Sequence, residues 1–268
     1  MCPSPVLLMA WRDWRRVYPR IASEFNYDPR TDGEAAALLA GLLAERAARD
    51  SGALPRLSAL LRGSSAFVFG AGPSLPRDAE LFMATGLRGG ACLAADGAAR
   101  CLLSHGLVPS VVVTDLDGGA EGLLEASARG AVTVVHAHGD NVRLLEECVP
   151  LFEGQVVGTT QVDPLPDVHN FGGFTDGDRA VLLAGGLGAS RIVLAGMDLG
   201  GVVGMYSKPS LTGDTPAWPA KARKLAWAGR ILEDFALSSH ATLYNATSGG
   251  SDVKGFKRTT FAELEGSA

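Results

Sequence analysis

The chain has no paired cysteines, no basic excess and no long apolar run, and each absence removes a class of protein. Its 268 residues hold four cysteines, Cys2, Cys92, Cys101 and Cys148, and none forms a CxxC pair. A secreted disulfide scaffold is therefore not indicated. Cys92 and Cys101 fall in apolar stretches and read as small core residues. With 24 basic against 29 acidic residues the formal net charge is -5. That balance lacks the basic stripe of a nucleic-acid binder, so no nucleic-acid partner is expected. No uninterrupted apolar segment reaches about 18 residues, the length a membrane helix needs. The short apolar run at the N-terminus is followed by Arg12, Arg15 and Arg16, the reverse of a signal peptide. No membrane partner is expected, and the expected location is cytoplasmic.

What is present is glycine, 34 residues of it, much of it beside Asp, Asn and Ser. Glycine belongs where backbone turns sharply or approaches a ligand closely. The 47% hydrophobic and 20% charged composition suits a folded protein with a substantial core. The length fits one large domain with a helical appendage. We divide it into a helical segment (1–62), an α/β catalytic domain (63–247) and a C-terminal tail (248–268).

In the first segment Trp11, Trp14, Tyr18 and Ile21 recur at three- and four-residue spacing, giving one apolar helix face. The sequence Asp28–Asp32 breaks that pattern, and an Ala/Leu/Glu-rich helix follows from Gly33 to Asp50. From Ser65 the rhythm changes. Short apolar runs at Ala66–Phe69, Ala91–Ala94, Ser110–Thr114, Val132–His136, Gln155–Gly158, Arg191–Ala195 and Ala241–Tyr244 alternate with helical stretches. Continuous apolar runs suit strands covered on both faces. The alternation predicts an open, doubly wound, mostly parallel Rossmann-like sheet, with ligands at the carboxyl ends of its strands.

The polar residues cluster at those ends. Gly70, Gly72, Pro73 and Ser74 follow the first strand, and a glycine turn leading into a helix can present N–H groups to phosphate. Leu75 stands where the dinucleotide fingerprint GxGxxG has its third glycine, and no Walker GxxxxGK[ST] is present at this turn. Asp96 and Gly97 follow the second strand, where Asp96 suits either a helix cap or a metal. Asp115 and Asp117 follow the third, two residues apart and on a similar side. Unpaired carboxylates so close together repel unless a cation lies between them, and their hard oxygens suit magnesium bridged to phosphate. After the fourth strand come His136, His138, Asp140 and Asn141, read as groups that donate to phosphate, orient a carboxylate or cap the next helix. Asn170, Phe174, Thr175, Asp176, Asp178 and Arg179 form a fifth cluster, and Asp198 a sixth. Lys208, Lys221 and Lys224 are cations that can reach a phosphate or sit in solvent.

Together the strings Gly70–Leu75, Ala95–Ala98, Thr114–Gly118, His136–Asn141, Thr159–Gln161, Asn170–Arg179 and Gly196–Asp198 resemble the archaeal 6-hydroxymethyl-7,8-dihydropterin pyrophosphokinase family, the MptE-like group. More distantly, Asp96-Gly97, Pro109–Val113 and Asp115-Leu116-Asp117 are similar to the catalytic domain of thiamine pyrophosphokinases, which usually carry Ser where this chain has Gly118. The first resemblance implies transfer of diphosphate from ATP to a reduced pterin, with AMP released, in methanopterin or folate biosynthesis. It implies Mg²⁺ as cofactor, held by Asp96, Asp115 and Asp117. It implies nucleotide contacts from Gly70, Gly72, Pro73, Ser74, Gly97, His136, Asn141, Gln161, Thr175, Arg179, Lys221 and Lys224. Beside the two catalytic carboxylates, His138, Asp140 and Asp176 are candidate bases. Asn170, Phe174, Asp176, Asp178 and Asp198 are candidate pterin contacts. A nucleotide-sugar glycosyltransferase related to flagellin-modifying proteins is one competing reading, and a non-catalytic nucleotide-binding regulator is another. A nicotinamide oxidoreductase is disfavoured, since only Asp96 stands where the ribose-binding acid would be. Oligomeric state is left open, a homo-oligomer included.

Overall fold

A computed structural model describes residues 5–87 and 89–266, with side chains from Trp14 onward. Cys2 and the side chain of Trp11 lie outside the described part. Four helices, α1 (Pro5–Phe25), α2 (Pro29–Glu45), α3 (Ala47–Asp50) and α4 (Ala53–Leu61), precede the first strand. Strand and helix then alternate through β1 (Ser65–Phe69), α5 (Leu75–Met83), β2 (Ala91–Ala95), α6 (Ala98–Ser104), β3 (Val111–Thr114), α7 (Ala120–Ala128), β4 (Val132–Ala137), α8 (Val142–Cys148) and β5 (Val156–Thr160). A short β6 (Val168–His169), α9 (Asp176–Gly186) and β7 (Arg191–Ala195) follow. The chain ends with a small hairpin of β8 (Val202–Val203) and β9 (Thr215–Pro216), then α10 (Pro219–Ser238), β10 (Thr242–Asn245), β11 (Lys257–Arg258) and α11 (Phe261–Glu265).

Nine strands form one sheet in the order β11-β10-β7-β1-β2-β3-β4-β5-β6, with every pairing parallel. This is the expected open, doubly wound α/β architecture. Its helices cover both faces, and the strand side chains alternate between two cores as the pleat requires. Phe67 and Phe69 join α2, α5, α6, α7, α8 and α11 on one face, while Ala66 and Val68 join α4, α9 and α10 on the other. The order reverses between β1 and β7, whose register runs from Ser65↔Arg191 to Phe69↔Ala195. Ligands in such sheets bind in the crevice opened at that reversal.

All seven expected strands are present, as β1–β5, β7 and β10. The two-residue edge strands β6 and β11 were not expected, because two residues carry no readable alternation. Residues 248–266, expected as a tail, complete the domain instead. Here β11 pairs with β10, and Phe261 and Leu264 are buried beside Phe67 and Phe82. The helical segment is likewise part of the core. Ala35, Ala36, Leu39 and Leu43 of α2 are buried against the sheet. Arg46 donates to the carbonyls of Val149, Phe152 and Gly154. Asp32, buried in α2, accepts from Gly139 N (2.7 Å), Gln161 Nε2 (2.8 Å) and the Tyr18 hydroxyl. One carboxylate thus joins α1 and α2 to the loops following β4 and β5. No helix among the described residues is long and apolar enough to cross a membrane.

Candidate active site

The loops at the carboxyl ends of the strands enclose a cavity of about 540 Å³. Its floor is the pair of turns after β2 and β3. Asp96 leaves β2 in the left-handed region (φ 49) and is fixed by its N–H bond to the Val113 carbonyl (2.8 Å). Leu116 adopts the same region (φ 76) between the two aspartates. A non-glycine residue held there costs on the order of 1 kcal/mol or more, which the surrounding packing must offset. Thr114 ties the turns together, accepting from Leu116 N (2.7 Å) and donating to Asp96 Oδ1 (2.6 Å). As a result the carboxylate oxygens of Asp96, Asp115 and Asp117 lie within 4.8 Å of one another.

The electrostatics of this group are those of a cation site. Burial and the charges of Asp115 and Asp117 push the Asp96 carboxyl up to about 7. Burial also acts to raise Asp115, but His138, Arg179 and Lys208 outweigh it and hold that carboxyl below its ordinary range. Lys208 forms an ion pair with Asp117. An all-oxygen donor set of three carboxylates, one of them raised by the other two, fits a hard divalent cation such as Mg²⁺. Gly118 is required for this packing. A Cβ there would meet Asp96 Oδ2 at 2.1 Å and the Gly97 nitrogen at 2.6 Å, so the serine of the thiamine enzymes does not fit.

Around that floor the expected residues separate into two groups. Gly70, Gly72, Thr175, Asp176, Phe174, Asp198, Lys221 and Lys224 line the cavity with Asp96, Asp115 and Asp117. Asp176 opens α9, pairs with Arg179 (3.0 Å), and is raised well above the ordinary carboxylate range by burial and by Asp115. Lys221 is lowered by burial and by the neighbouring Lys208.

Other residues expected as contacts are engaged in building the walls. Ser74 donates through N (3.2 Å) and Oγ (2.8 Å) to Asp198, so it faces a carboxylate rather than a phosphate. Pro73 lies outside the cavity lining, and Gly97 is needed because a Cβ would sit 1.9 Å from the Tyr206 carbonyl. Even Gly70 and Gly72 are glycines for an internal reason, the close approach of Gly196, Met197 and Asp198. His136 is buried with Nδ1 on the Thr159 hydroxyl (3.2 Å), its imidazole kept neutral by burial and by Arg179. Asn141 donates to the carbonyls of Asp115 (2.9 Å) and His136 (2.7 Å), clamping two turns. Gln161 is committed to Asp32 and, through its carbonyl, to Trp14 Nε1 (2.9 Å). Asn170 closes its own loop on Val162 O and Gly172 N, both at 2.8 Å. Asp178 is fully buried as a cap for α9, accepting from Phe174 N and Thr175 N at 2.7 Å. Arg179 is also buried, reaching Asp176 from behind the cavity wall.

Two of the three candidate bases are not placed to take a substrate proton. Asp140 is exposed in the short turn Gly139–Asn141. His138 accepts at Nδ1 from Asp140 N (3.2 Å), so the neutral ring carries its proton on Nε2, 3.6 Å from Asp115 Oδ2. The histidine orients and stabilises the Asp115 carboxylate.

Sequence reading missed one wall and undervalued another residue. Glu24, Phe25, Asn26 and Tyr27, at the corner between α1 and α2, line the cavity. So do Trp218 and the Leu199 and Val202–Gly204 stretch. The corner was legible only as a helix break, since Asn26 is a left-handed helix end (φ 56) and Pro29 a helix start. Lys208 was one cation among three, because sequence does not reveal that the loop after β8 returns it to Asp117.

Comparison with known proteins matches residues 47–203 to the family described as 6-hydroxymethylpterin diphosphokinase MptE-like. A protein of Pyrococcus furiosus named 6-hydroxymethyl-7,8-dihydropterin pyrophosphokinase is 47% identical over 227 residues, covering 84% of this chain and 94% of that one. A protein of the same name from Methanothermobacter thermautotrophicus is 46% identical over 221 residues, covering 82% of this chain and 92% of that one. Among solved structures, the MAf glycosyltransferase of Magnetospirillum magneticum AMB-1 superposes with a TM-score of 0.52 at 18% identity, over 77% of this chain but 35% of that one. That last likeness concerns the fold alone. On the identity and coverage of the others, the chain belongs to the MptE-like family of 6-hydroxymethyl-7,8-dihydropterin pyrophosphokinases.

Proposed function

We propose that this chain transfers diphosphate from ATP to the hydroxymethyl group of 6-hydroxymethyl-7,8-dihydropterin, giving the pterin diphosphate and AMP. The observation that carries the reading is the convergence of Asp96, Asp115 and Asp117 in one cavity with Lys208, Lys221 and Lys224. In the reaction the substrate hydroxyl oxygen bonds to the β-phosphorus. The bond from that phosphorus to the oxygen bridging it to the α-phosphate breaks, and the electron pair leaves with AMP. Mg²⁺ held by Asp96, Asp115 and Asp117 would offset the negative charge on the phosphate oxygens.

The protein's own groups do the remaining work. His138 and Arg179 keep the Asp115 carboxylate of the acidic floor ionised. Lys221 and Lys224 supply positive charge across the cavity from that floor, and positioning with electrostatics is the main source of rate in such transfers. Asp176 is the base candidate that lines the cavity, and it receives the hydroxyl proton. Burial and the charge of Asp115 raise its affinity for a proton above that of an ordinary carboxylate.

The direct test incubates purified protein with ATP, Mg²⁺ and 6-hydroxymethyl-7,8-dihydropterin and follows AMP and pterin diphosphate. Stoichiometric formation of both is expected. Failure to form either, with thiamine inert as well, overturns the assignment.

A further inference from the structure

The cavity has a second, chemically distinct end, and it is built by the N-terminal helices. Glu24, Phe25, Asn26 and Tyr27 face into it from the corner between α1 and α2, next to Phe174 and Lys224. Phe174 packs on Phe25 (ring centroids 5.1 Å apart) and Tyr27 (6.3 Å), and the Lys224 ammonium lies over the rings of Tyr27 (5.8 Å) and Phe174 (5.6 Å). Asp176, two residues beyond Phe174, feels the charge of Asp115, so this aromatic wall adjoins the acidic floor. Glu24 is held at the far side of the wall. Trp227 Nε1 donates to its Oε2 (2.8 Å), and Arg223 Nε stands 3.7 Å from its Oε1. The carboxylate is therefore oriented by Trp227 and Arg223, and its two oxygens keep accepting capacity for a further donor pair.

Resting on the pyrophosphokinase reading, we infer that this end is the pterin subsite and that Glu24 reads the amino-pyrimidinone edge. Two flat heterocycles enter the reaction, and their edges differ. The pterin presents a ring N–H and an exocyclic NH₂ side by side, two adjacent donors that match the two oxygens of a carboxylate. Adenine presents one donor group next to an acceptor nitrogen, which a carboxylate repels. Among the carboxylates lining the cavity, Glu24 is the one set in the corner with Phe25 and Tyr27, whereas three make the acidic floor, Asp176 opens α9 and Asp198 holds Ser74. Glu24 beside Phe25 and Tyr27 thus selects the pterin over the adenine of ATP.

Direct binding separates the possibilities. Pterin fluorescence titration and ATP calorimetry are run on wild type, Glu24→Gln and Glu24→Ala, with a pterin lacking the 2-amino group as second probe. Glu24→Gln keeps an acceptor for Trp227, and its unfolding midpoint reports whether the corner is intact. Pterin affinity is expected to fall roughly 10- to 100-fold in Glu24→Gln, the usual yield of one bidentate carboxylate contact. ATP affinity should hold, and wild type's preference for the 2-amino pterin should disappear in the variant. Unchanged pterin affinity in both variants, or a loss confined to ATP, overturns the assignment of this end. A wild-type protein that binds no pterin at all would instead count against the pyrophosphokinase reading itself.

Discussion

Gly118 shows how little freedom the acidic floor has. The chain passes so close to Asp96 that a single methyl group would displace either the carboxylate or the turn carrying Gly97. Asp96 cannot yield easily, since Thr114 and the Val113 carbonyl hold it from two directions. Gly118→Ala should therefore lower turnover by about a hundredfold, the typical consequence of misplacing a reacting group by an ångström. Steady-state kinetics with Mn²⁺ affinity measured alongside provide the check, and wild-type values for both would show that Asp96 tolerates the shift. The adjacent Asp-x-Asp spacing was legible in the sequence because two carboxylates at one strand end need an explanation. The role of Gly118 was not, because it depends on the turn at Asp96 and Gly97, more than twenty residues earlier in the chain. The same limit applies to Asp178 and Gln161. Their residue types suggest ligand contacts, and only three-dimensional packing reveals that a helix terminus and a buried aspartate already use them.

Among the elements, α2 has the most consequential attachment. Its buried Asp32 accepts from a backbone N–H, an amide and a phenol drawn from three other parts of the chain. Replacing it by alanine leaves two buried donors, the Tyr18 hydroxyl and the Gln161 amide, and the part-buried Gly139 N–H without this acceptor, each buried loss costing about 1–3 kcal/mol. Asp32→Ala should destabilise the protein by roughly 3–5 kcal/mol in urea unfolding. A change below about 1 kcal/mol would mean that the helices are held by apolar contacts alone. The helical segment was readable as helical from the three- and four-residue spacing of Trp14, Tyr18 and Ile21 and from the Ala/Leu/Glu-rich run after Gly33, although α2 already starts at Pro29, capped by Asp28. Its contribution to the cavity was not readable, because Glu24 and Asn26 sit on the exposed side of that rhythm and look like ordinary surface residues.

At the scale of the whole molecule, the gathered carboxylates link stability to pH and to divalent cations. Asp96 binds its proton more tightly in the folded chain than in the unfolded one, at about 7 against 3.8. The unfolded chain therefore releases this proton first as pH rises, and stability falls progressively between about 4 and about 7. Asp176 acts in the same direction. Asp115, held below its ordinary range, acts the opposite way and only at more acidic pH. His136 and His169, whose burial lowers their proton affinity, act the other way through about 6.5, so Asp96 is read from the difference between wild type and Asp96→Asn. In thermal unfolding with EDTA, Asp96→Asn should gain stability relative to wild type as pH rises from 5 to 7.5. Mg²⁺ or Mn²⁺ should raise the wild-type midpoint most at the upper end of the range. Parallel pH profiles for wild type and Asp96→Asn in EDTA would contradict the electrostatic picture. The alternation of strands and helices made this architecture readable in advance, and a cavity lies at the carboxyl ends of the strands.

The pairing of β1 with β7 has a further consequence, for the order in which the protein can form. Ser65 meets Arg191 and Gly72 N bonds to Gly196 O, so partners at the centre of the sheet lie more than a hundred residues apart. During synthesis, β1 through β5 can assemble along one side while the other side has yet to leave the ribosome. Contacts this distant in sequence close late and slowly. The acidic turns after β2 and β3 therefore exist before the wall of Gly196, Met197 and Asp198 arrives to complete the cavity. The nascent chain spends that interval with β1 as an open edge, and the cavity is not complete until the last third of the polypeptide has joined it.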